Sequence, residues 1–463
     1  MTKADLIVLG AGPAGLAAAA TAAGCGLDVI LIDEQQRPGG QIYRDVDRVL
    51  PLRGEVLGPD YATGARLTGG IRQDTIRYVP GACVWQIEPG FSVTYSGNGG
   101  GVVTGDRLLL ATGALERAMP LPGWTLPGVM TAGAGQILLK QSGLVAQRAV
   151  LVGTGPLLFL VAAQMVRAGT PPLALVETQT RADLARAARH VGGAMRGWRY
   201  LAKGLDMHRT LARAGVPRHV GATQVEIAGP GAAEAVTFHC NGRRHRIDCD
   251  TVFLHHGVIP NTQAARSLDI GHRWDVRQHA FAPVLDGWGE SDMPGVFIAG
   301  DGAGIGGATL AELAGRLAAL RIAESLGKVS PAERDRQAAP LRRALEREAA
   351  VRPFLDTAYP PFAEALQPAD DTVVCRCEEV TAGDIRGFAR LGCTGPNQAK
   401  AFGRVGMGPC QGRICGPVVT ELLAKANGQS PDATGYVRIR PPLKPVTLGE
   451  LAQLAEPDPE AKK

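Results

Sequence analysis

Four of the nine cysteines fall in one stretch, as Cys375-x-Cys377, a gap of 32 residues, then Cys410-x4-Cys415. Two close thiol pairs separated by a short helical segment can converge on one metal centre, and soft thiolates at such spacing suit an iron–sulfur cluster. Two other readings compete. Structural zinc also takes four cysteines, but usually from two Cys-x2-Cys knuckles, and the stretch contains no histidine to complete a mixed site. Free cysteines also pack as small hydrophobes, a role that glycine-rich turns around the pairs do not favour. Cys393 lies between the pairs without a close partner and is set aside as a non-ligand, because the flanking thiols already make a tetrathiolate set. A redox centre near the C-terminus requires an electron donor elsewhere in the chain.

The elements that would position such a donor begin at once. Residues 5–9 (DLIVL) read as a buried parallel strand, followed by Gly10-Ala-Gly12-Pro13-Ala14-Gly15 and an alanine-rich helix to about residue 23. Gly10 permits the tight turn, Gly12 lets backbone approach a pyrophosphate, and Gly15 lets helix and strand pack closely. Phosphates would sit on the helix N-terminus, where free N–H groups and the dipole favour negative charge. A second apolar run, 29–32, ends in Asp33 and Glu34. Asp33 stands where a carboxylate accepts from ribose hydroxyls, with Glu34 the next candidate.

Further along, alternating apolar residues and a glycine-rich turn at 96–101 predict a strand-rich segment over 71–110, closed by Ala111-Thr112-Gly113. A second strand–glycine–helix unit starts at 150 with Gly153-Thr-Gly155 and reaches a strand ending in Glu177. Its third small residue is replaced by Leu158, which should crowd the helix–strand contact or the pyrophosphate. The unit can therefore hold NAD(P), another adenine nucleotide, or nothing; Glu177 would suit an unphosphorylated ribose. Residues 181–215 look helical and basic, a lid or subunit contact, and 219–253 return to strands. His255 and His256 are weak catalytic candidates: neighbours on a strand point to opposite faces, so at most one can face a flavin. The run 295–302 (GVFIAGDG) ends a strand at Gly300-Asp301 and leads to a helix ending near 325.

The chain has 463 residues, 45% apolar and 20% charged, enough for two or three domains with cores of their own. A net charge of +5 is mild, and the arginines scattered through 181–218 and 334–352 read as helical faces rather than a nucleic-acid surface. The N-terminus enters a strand without room for a signal peptide, and no apolar run reaches a spanning length, so a cytoplasmic protein without a transmembrane segment is expected. An odd number of cysteines, four of them grouped, fits a reducing compartment. Cys25 and Cys83 stand alone and are expected in the core; no thiol pair lies near the glycine motifs, which disfavours a disulfide reductase.

Gly39-Gly40-Gln41 resembles the segment that lies along the flavin in two-dinucleotide-domain flavoprotein reductases, where Gln41 would bond the isoalloxazine. Ala111–Gly113 resembles their crossover beside FAD, and Gly300-Asp301 their second FAD signature, Asp301 accepting from the ribityl chain. With Pro38-Gly-Gly-Gln-Ile-Tyr-Arg44, Val258-Ile-Pro-Asn261 and the cysteine module, nearly the whole chain resembles the FAD-binding A-type (alpha) subunit of heteromeric dehydrogenases for opines, D-hydroxyproline and related amino acids. It is similar to the B-type subunit of hydrogen cyanide synthase too.

That resemblance implies an α/β, two-dinucleotide-binding-domain flavoprotein with a small C-terminal helical domain like bacterioferritin-associated ferredoxin. The FAD domain would take 1–113 and 250–327, the second nucleotide domain 114–249, a linker 328–371, the cluster domain 372–428 and an extended tail 429–463. It implies FAD and a [2Fe–2S] cluster on Cys375, Cys377, Cys410 and Cys415. It also implies a partner beta subunit similar to FAD-dependent D-amino-acid oxidases that oxidises the C–N bond of the substrate, and admits a small ferredoxin-like gamma subunit. This chain would relay the electrons. A stand-alone NAD(P)H-dependent ferredoxin-type reductase and a non-catalytic cofactor scaffold remain the alternatives.

Overall fold

The computed structural model describes residues 2–97 and 99–455. Asn98, in the predicted 96–101 turn, and the end of the predicted tail, 456–463, lie outside the described residues.

The apolar run of Thr2–Leu9 forms the middle of a seven-stranded sheet because both of its faces are covered. It pairs in parallel with Val29–Asp33 on one side and Gly101–Leu110 on the other, and Ile76–Pro80 continues the parallel order beyond Val29–Asp33. Val296–Ile298 pairs with the end of Gly101–Leu110, at Leu108–Leu110. The helices Pro13–Gly24 and Ala308–Ser325 cover one face, with Leu16, Ala18, Ala318 and Ile322 fully buried. The other face packs against Ala264, Leu268 and, from the C-terminal tail, Val437, Ile439 and Leu443. The strand-rich segment is the antiparallel meander Cys83–Glu88, Ser92–Ser96, Gly101–Leu110.

A second, five-stranded parallel sheet runs Arg218–Val220, Ala174–Glu177, Ala149–Gly153, Thr251–His255, Val129–Thr131. Thr251–His255 therefore belongs to the second unit. The chain returns to the first unit only after Gly257, not at 250, because Phe253 and Leu254 complete the second core. An antiparallel three-stranded sheet, 223–248, covers one face of this unit, and the predicted basic helices appear as Arg181–Ala187, Val191–Arg196 and Trp198–Arg213.

The expected linker, 328–371, is largely helical. It forms the helices Pro331–Ala349, Arg352–Ala358 and Ala363–Leu366. The first of these packs Ala338 against Leu317 and Leu320 and lays Arg334 and Arg342 over Trp288. The cysteine module is a hairpin, Val373–Cys375 and Val380–Thr381, with helices Ala382–Arg390, Pro396–Gly403 and Gly416–Ala426 around its own small core. Among the described residues no helix is long and apolar enough to cross a membrane.

A Cβ on Gly15 would lie 1.8 Å from the Gly10 carbonyl oxygen, whereas one on Gly24, at the end of the same helix, would meet nothing within 4 Å. Gly15→Ala should lower stability by roughly 1–3 kcal/mol through forced backbone displacement, and Gly24→Ala should be neutral or stabilising. Thermal unfolding of the two full-length variants checks the contrast; equal melting temperatures would mean the loop yields freely.

Candidate functional site

The three segments singled out around the first fingerprint meet at one end of the seven-stranded sheet. The Gly39 N–H donates to the Ala11 carbonyl at 2.8 Å, and Gly12 and Gly40 face each other so closely that a Cβ on Gly40 would lie 2.8 Å from the Gly12 Cα. Ala111 abuts Gly10, Gly302 borders Thr112 and Gly113, and Gly300 packs against Ala14. Asn261 closes the ring. Its N–H donates to the Gly113 carbonyl at 3.0 Å, its Nδ2 to the Thr112 carbonyl at 3.3 Å, and its carbonyl accepts from Thr112 Oγ1 at 3.0 Å.

Two carboxylates divide the work here. Asp33 is buried, and its two oxygens accept from the Ala11 N–H at 2.5 Å and the Gln35 N–H at 2.7 Å. Burial nevertheless pushes its pKa up, with those N–H groups and nearby Arg44 opposing. Glu34 turns outward and pairs with Lys444 of the tail. Asp301 Oδ1 accepts from the N–H groups of Gly306 and Gly307 at 2.9 and 2.8 Å. This orders the turn into Ala308–Ser325 and leaves the second oxygen for a hydroxyl.

A dinucleotide with a flavin fits these residues. Gly12 would have only the Gly40 Cα nearby, at 3.8 Å from an added Cβ, and the buried Asn261 Oδ1 and Arg44 Nε lack protein partners among the described residues.

The second nucleotide unit is different. Gly153 and Gly155 adopt φ of +128° and +108°, and Leu158 is fully buried in the packing behind them. Glu177 is wholly inaccessible and held by Arg218 at 2.5 and 2.8 Å, with Gln179 also donating to it. The carboxylate expected to receive ribose hydroxyls already accepts three protein hydrogen bonds and has no accessible surface, so a pyridine nucleotide does not fit in the usual way. Thr154 Oγ1, Thr178 Oγ1 and Gln179 Oε1, without hydrogen-bond partners among the described residues, remain beside it.

Both histidines belong to this unit. His255 Nδ1 is 2.6 Å from Glu116 Oε1, and its Nε2 faces Gly155. His256 is inaccessible, bonded to the Ala118 carbonyl at 2.7 Å and receiving the Phe362 N–H at 3.2 Å. Complete burial and Arg117 hold its pKa well below the ordinary value, so His256 is a neutral structural residue.

In the cysteine module, Cys375 and Cys415 are buried, Cys410 is half-buried and Cys377 is exposed. Cys377 and Cys410 bring their sulfurs to 3.9 Å, while Cys375 and Cys415 lie close enough to shift each other's titration. Cys415 and the N–H groups of Gly406, Glu378 and Cys377, opposed by burial, pull the Cys375 thiol down to about 6; Cys415 itself is pushed well up. Among the described residues no three metal-ligating side chains, these four thiols included, gather closely enough to hold a metal ion. Cys393 is buried and turned to the Gly395 carbonyl, away from both pairs. Cys25 and Cys83 are half-buried rather than core.

Several residues escaped sequence reading. Trp124 Nε1 donates to the Val373 carbonyl at 2.7 Å and carries Arg376 over its ring, tying the thiol hairpin to the second unit. Gln411 and Arg413 reach the carbonyls of Pro442 and Leu443, and the Leu443 N–H donates to the Trp85 carbonyl at 2.7 Å. The tail therefore straps the thiol loop to the first unit. Lys140, from Ala132–Ser142, is buried beneath the Gly39–Gln41 loop. Only the long-range contacts of these residues mark them.

Residues 4–318 match the model of the pyridine nucleotide-disulphide oxidoreductase family, and residues 370–454 that of the sarcosine oxidase A3 domain. The A-type subunit of opine oxidase from Rhizobium meliloti (strain 1021) is 44% identical, over 98% of this chain and 99% of that protein. The HcnB subunit of hydrogen cyanide synthase from Pseudomonas aeruginosa is 34% identical over 97% and 98%. The crystal structure of L-proline dehydrogenase from P. horikoshii shares the fold, with a TM-score of 0.73 at 18% identity, covering 97% of this chain and 79% of that one. The chain therefore belongs to the pyridine nucleotide-disulphide oxidoreductase family and, within it, groups with the A-type subunits of opine oxidase.

Proposed function

We propose that this chain is the electron-relay subunit of a heteromeric dehydrogenase for an opine, D-hydroxyproline or a related amino acid. A partner similar to D-amino-acid oxidases would open the C–N bond, and the final carrier would be a separate protein, such as a small ferredoxin-like subunit. The observation that carries the relay is the spacing of the thiols. Two thiolates on one tetrahedral metal at about 2.3 Å stand roughly 3.8 Å apart, and Cys377 and Cys410 are 3.9 Å apart. That spacing, with Cys375 and Cys415 influencing each other and backbone N–H groups acting on Cys375, supports thiolate ligation, and a four-thiol set of this kind suits two irons better than a single zinc. A flavin takes two electrons together and a cluster passes them singly, so joining them in one chain makes a converter.

The chain's own residues hold and orient. Gly10, Gly12, Pro13, Ala14 and Gly15 would receive the pyrophosphate, Asp33 the ribose, Gly40 and Gln41 the ring system, Ala111–Gly113 the crossover side and Asp301 the ribityl hydroxyls. Trp124 and the Pro441–Lys444 strap keep the thiol module in register with that site. The buried, arginine-bound Glu177 argues against electron entry from NAD(P)H at the second unit, and with it against a stand-alone reductase.

Three measurements test this reading. Anaerobically purified full-length chain should carry two irons and two acid-labile sulfides. Cys377→Ser and Cys410→Ser should lose them while keeping FAD, and Cys393→Ser should keep both; zinc in their place would remove the relay. The lone chain should lack amino-acid dehydrogenase activity and gain it on adding the partner; full activity alone would put the substrate site here, and flavin bleaching by NADH alone would restore the reductase reading. Asp33→Asn removes a charged acceptor from two buried N–H groups, a loss of roughly 1.5–3 kcal/mol that should weaken FAD retention about tenfold or more. Glu34→Gln breaks only an exposed pair and should change retention less than about threefold; equal losses would mean the ribose is read differently.

A further inference from the structure

Lys140 has no role in the chemistry above, yet it is 2% exposed. Its ammonium donates to the Gln41 carbonyl at 3.0 Å, the Ile42 carbonyl at 2.8 Å and Gln136 Oε1 at 2.8 Å. All three N–H bonds are used, and every acceptor is neutral. Gln136 in turn donates to Gln164, which donates to the Leu57 carbonyl. Arg44, also buried, reaches Gln35 and Gln41 Oε1 from the same loop. Among the described residues neither cation has a carboxylate within 4 Å. The Tyr61 ring lies 5.7 Å from the Lys140 ammonium. Arg53 and Arg48 reach the Lys140 and Gln141 carbonyls, and the nearest acid of that helix turn, Asp45, is paired with Arg48.

An unneutralised buried cation is expensive; Asp33 and Asp45 act on Arg44 from beyond 4 Å, but Lys140 has no such acid, and Arg44 beside it adds to its cost. Burial and Arg44 pull the Lys140 pKa down to about 7, the signature of a charge lacking its counter-ion. Two-electron reduction of a flavin with uptake of one proton leaves the ring an anion, which is the charge this loop lacks. We propose that Lys140 is a positioning residue for the flavin: it fixes the Gly39–Gln41 loop and, with Arg44, supplies the positive field that favours the reduced, anionic ring over the oxidised, neutral one. This rests on the flavin lying against that loop and is independent of the cluster.

The test uses full-length chain with bound FAD, its flavin potential measured against a reference dye. Lys140→Met should lower the preference for reduced over oxidised flavin about tenfold, a fall of about 30 mV for a two-electron couple, while Lys140→Arg should keep the wild-type potential. If Lys140→Met fails to fold or to retain FAD, Lys140→Gln keeps an amide donor for the loop without the charge. Its dissociation constants for oxidised and reduced FAD then give the same ratio. A wild-type potential in the neutral variants, or equal loss of affinity for both flavin states, overturns the proposal. Wild-type chain that binds no FAD overturns the flavin reading instead.

Discussion

The arrangement depends on one close approach. The helices Pro13–Gly24 and Ala308–Ser325 meet at backbone distance: a Cβ on Gly315 would lie 2.2 Å from the Ala14 carbonyl oxygen, and one on Gly300 would lie 2.8 Å from the Ala14 Cβ. Only small residues allow this, and the alanines on both helices continue it. The contact fixes where the first glycine turn stands relative to Gly300-Asp301, so two segments nearly 300 residues apart form one cradle. Larger side chains would separate the helices, and with them the first glycine turn and Asp301.

A second constraint places the thiols. A small module with its own core could sit anywhere at the end of a packed helical connection. Here Trp124 grips its hairpin from the second unit, while Leu443, Ile439 and Val437 bury themselves against the sheet of the first. The tail then ends its strap with Lys444 on Glu34. The apolar burial contributes most of the fastening; the exposed ion pair adds little. A module held on two sides keeps a fixed separation from the first glycine cradle, which a flexible tether would not supply.

The two nucleotide units show how one fold diverges by side-chain commitments. In the first, Asp33 spends its oxygens on the backbone N–H groups of Ala11, in the first glycine turn, and of Gln35, while remaining at the cradle. In the second, Glu177 is sealed by a guanidinium and an amide, and Leu158 fills the space behind the turn. The backbones remain alike, with first glycines of φ near +106° and +128°; the chemistry offered to a ligand does not.

By itself the sequence determined the local elements: strand, glycine turn and helix at 5–23 and 150–167, the acids ending each second strand, and the close thiol pairs. These are readable because hydrophobic period, glycine position and cysteine spacing are properties of neighbours in the chain. Glu34 and Glu177 looked available because their partners, Lys444 and Arg218, lie 410 and 41 residues away. Thr251–His255 looked like part of the first unit, since an apolar strand carries no mark of which sheet it joins. Nothing local in the sequence marks Lys140, because burial of its ammonium depends on carbonyls from a loop 98 and 99 residues earlier. Spacing encodes what can fold locally, whereas the pairing of charges and the choice of sheet are settled only when distant surfaces exclude water together.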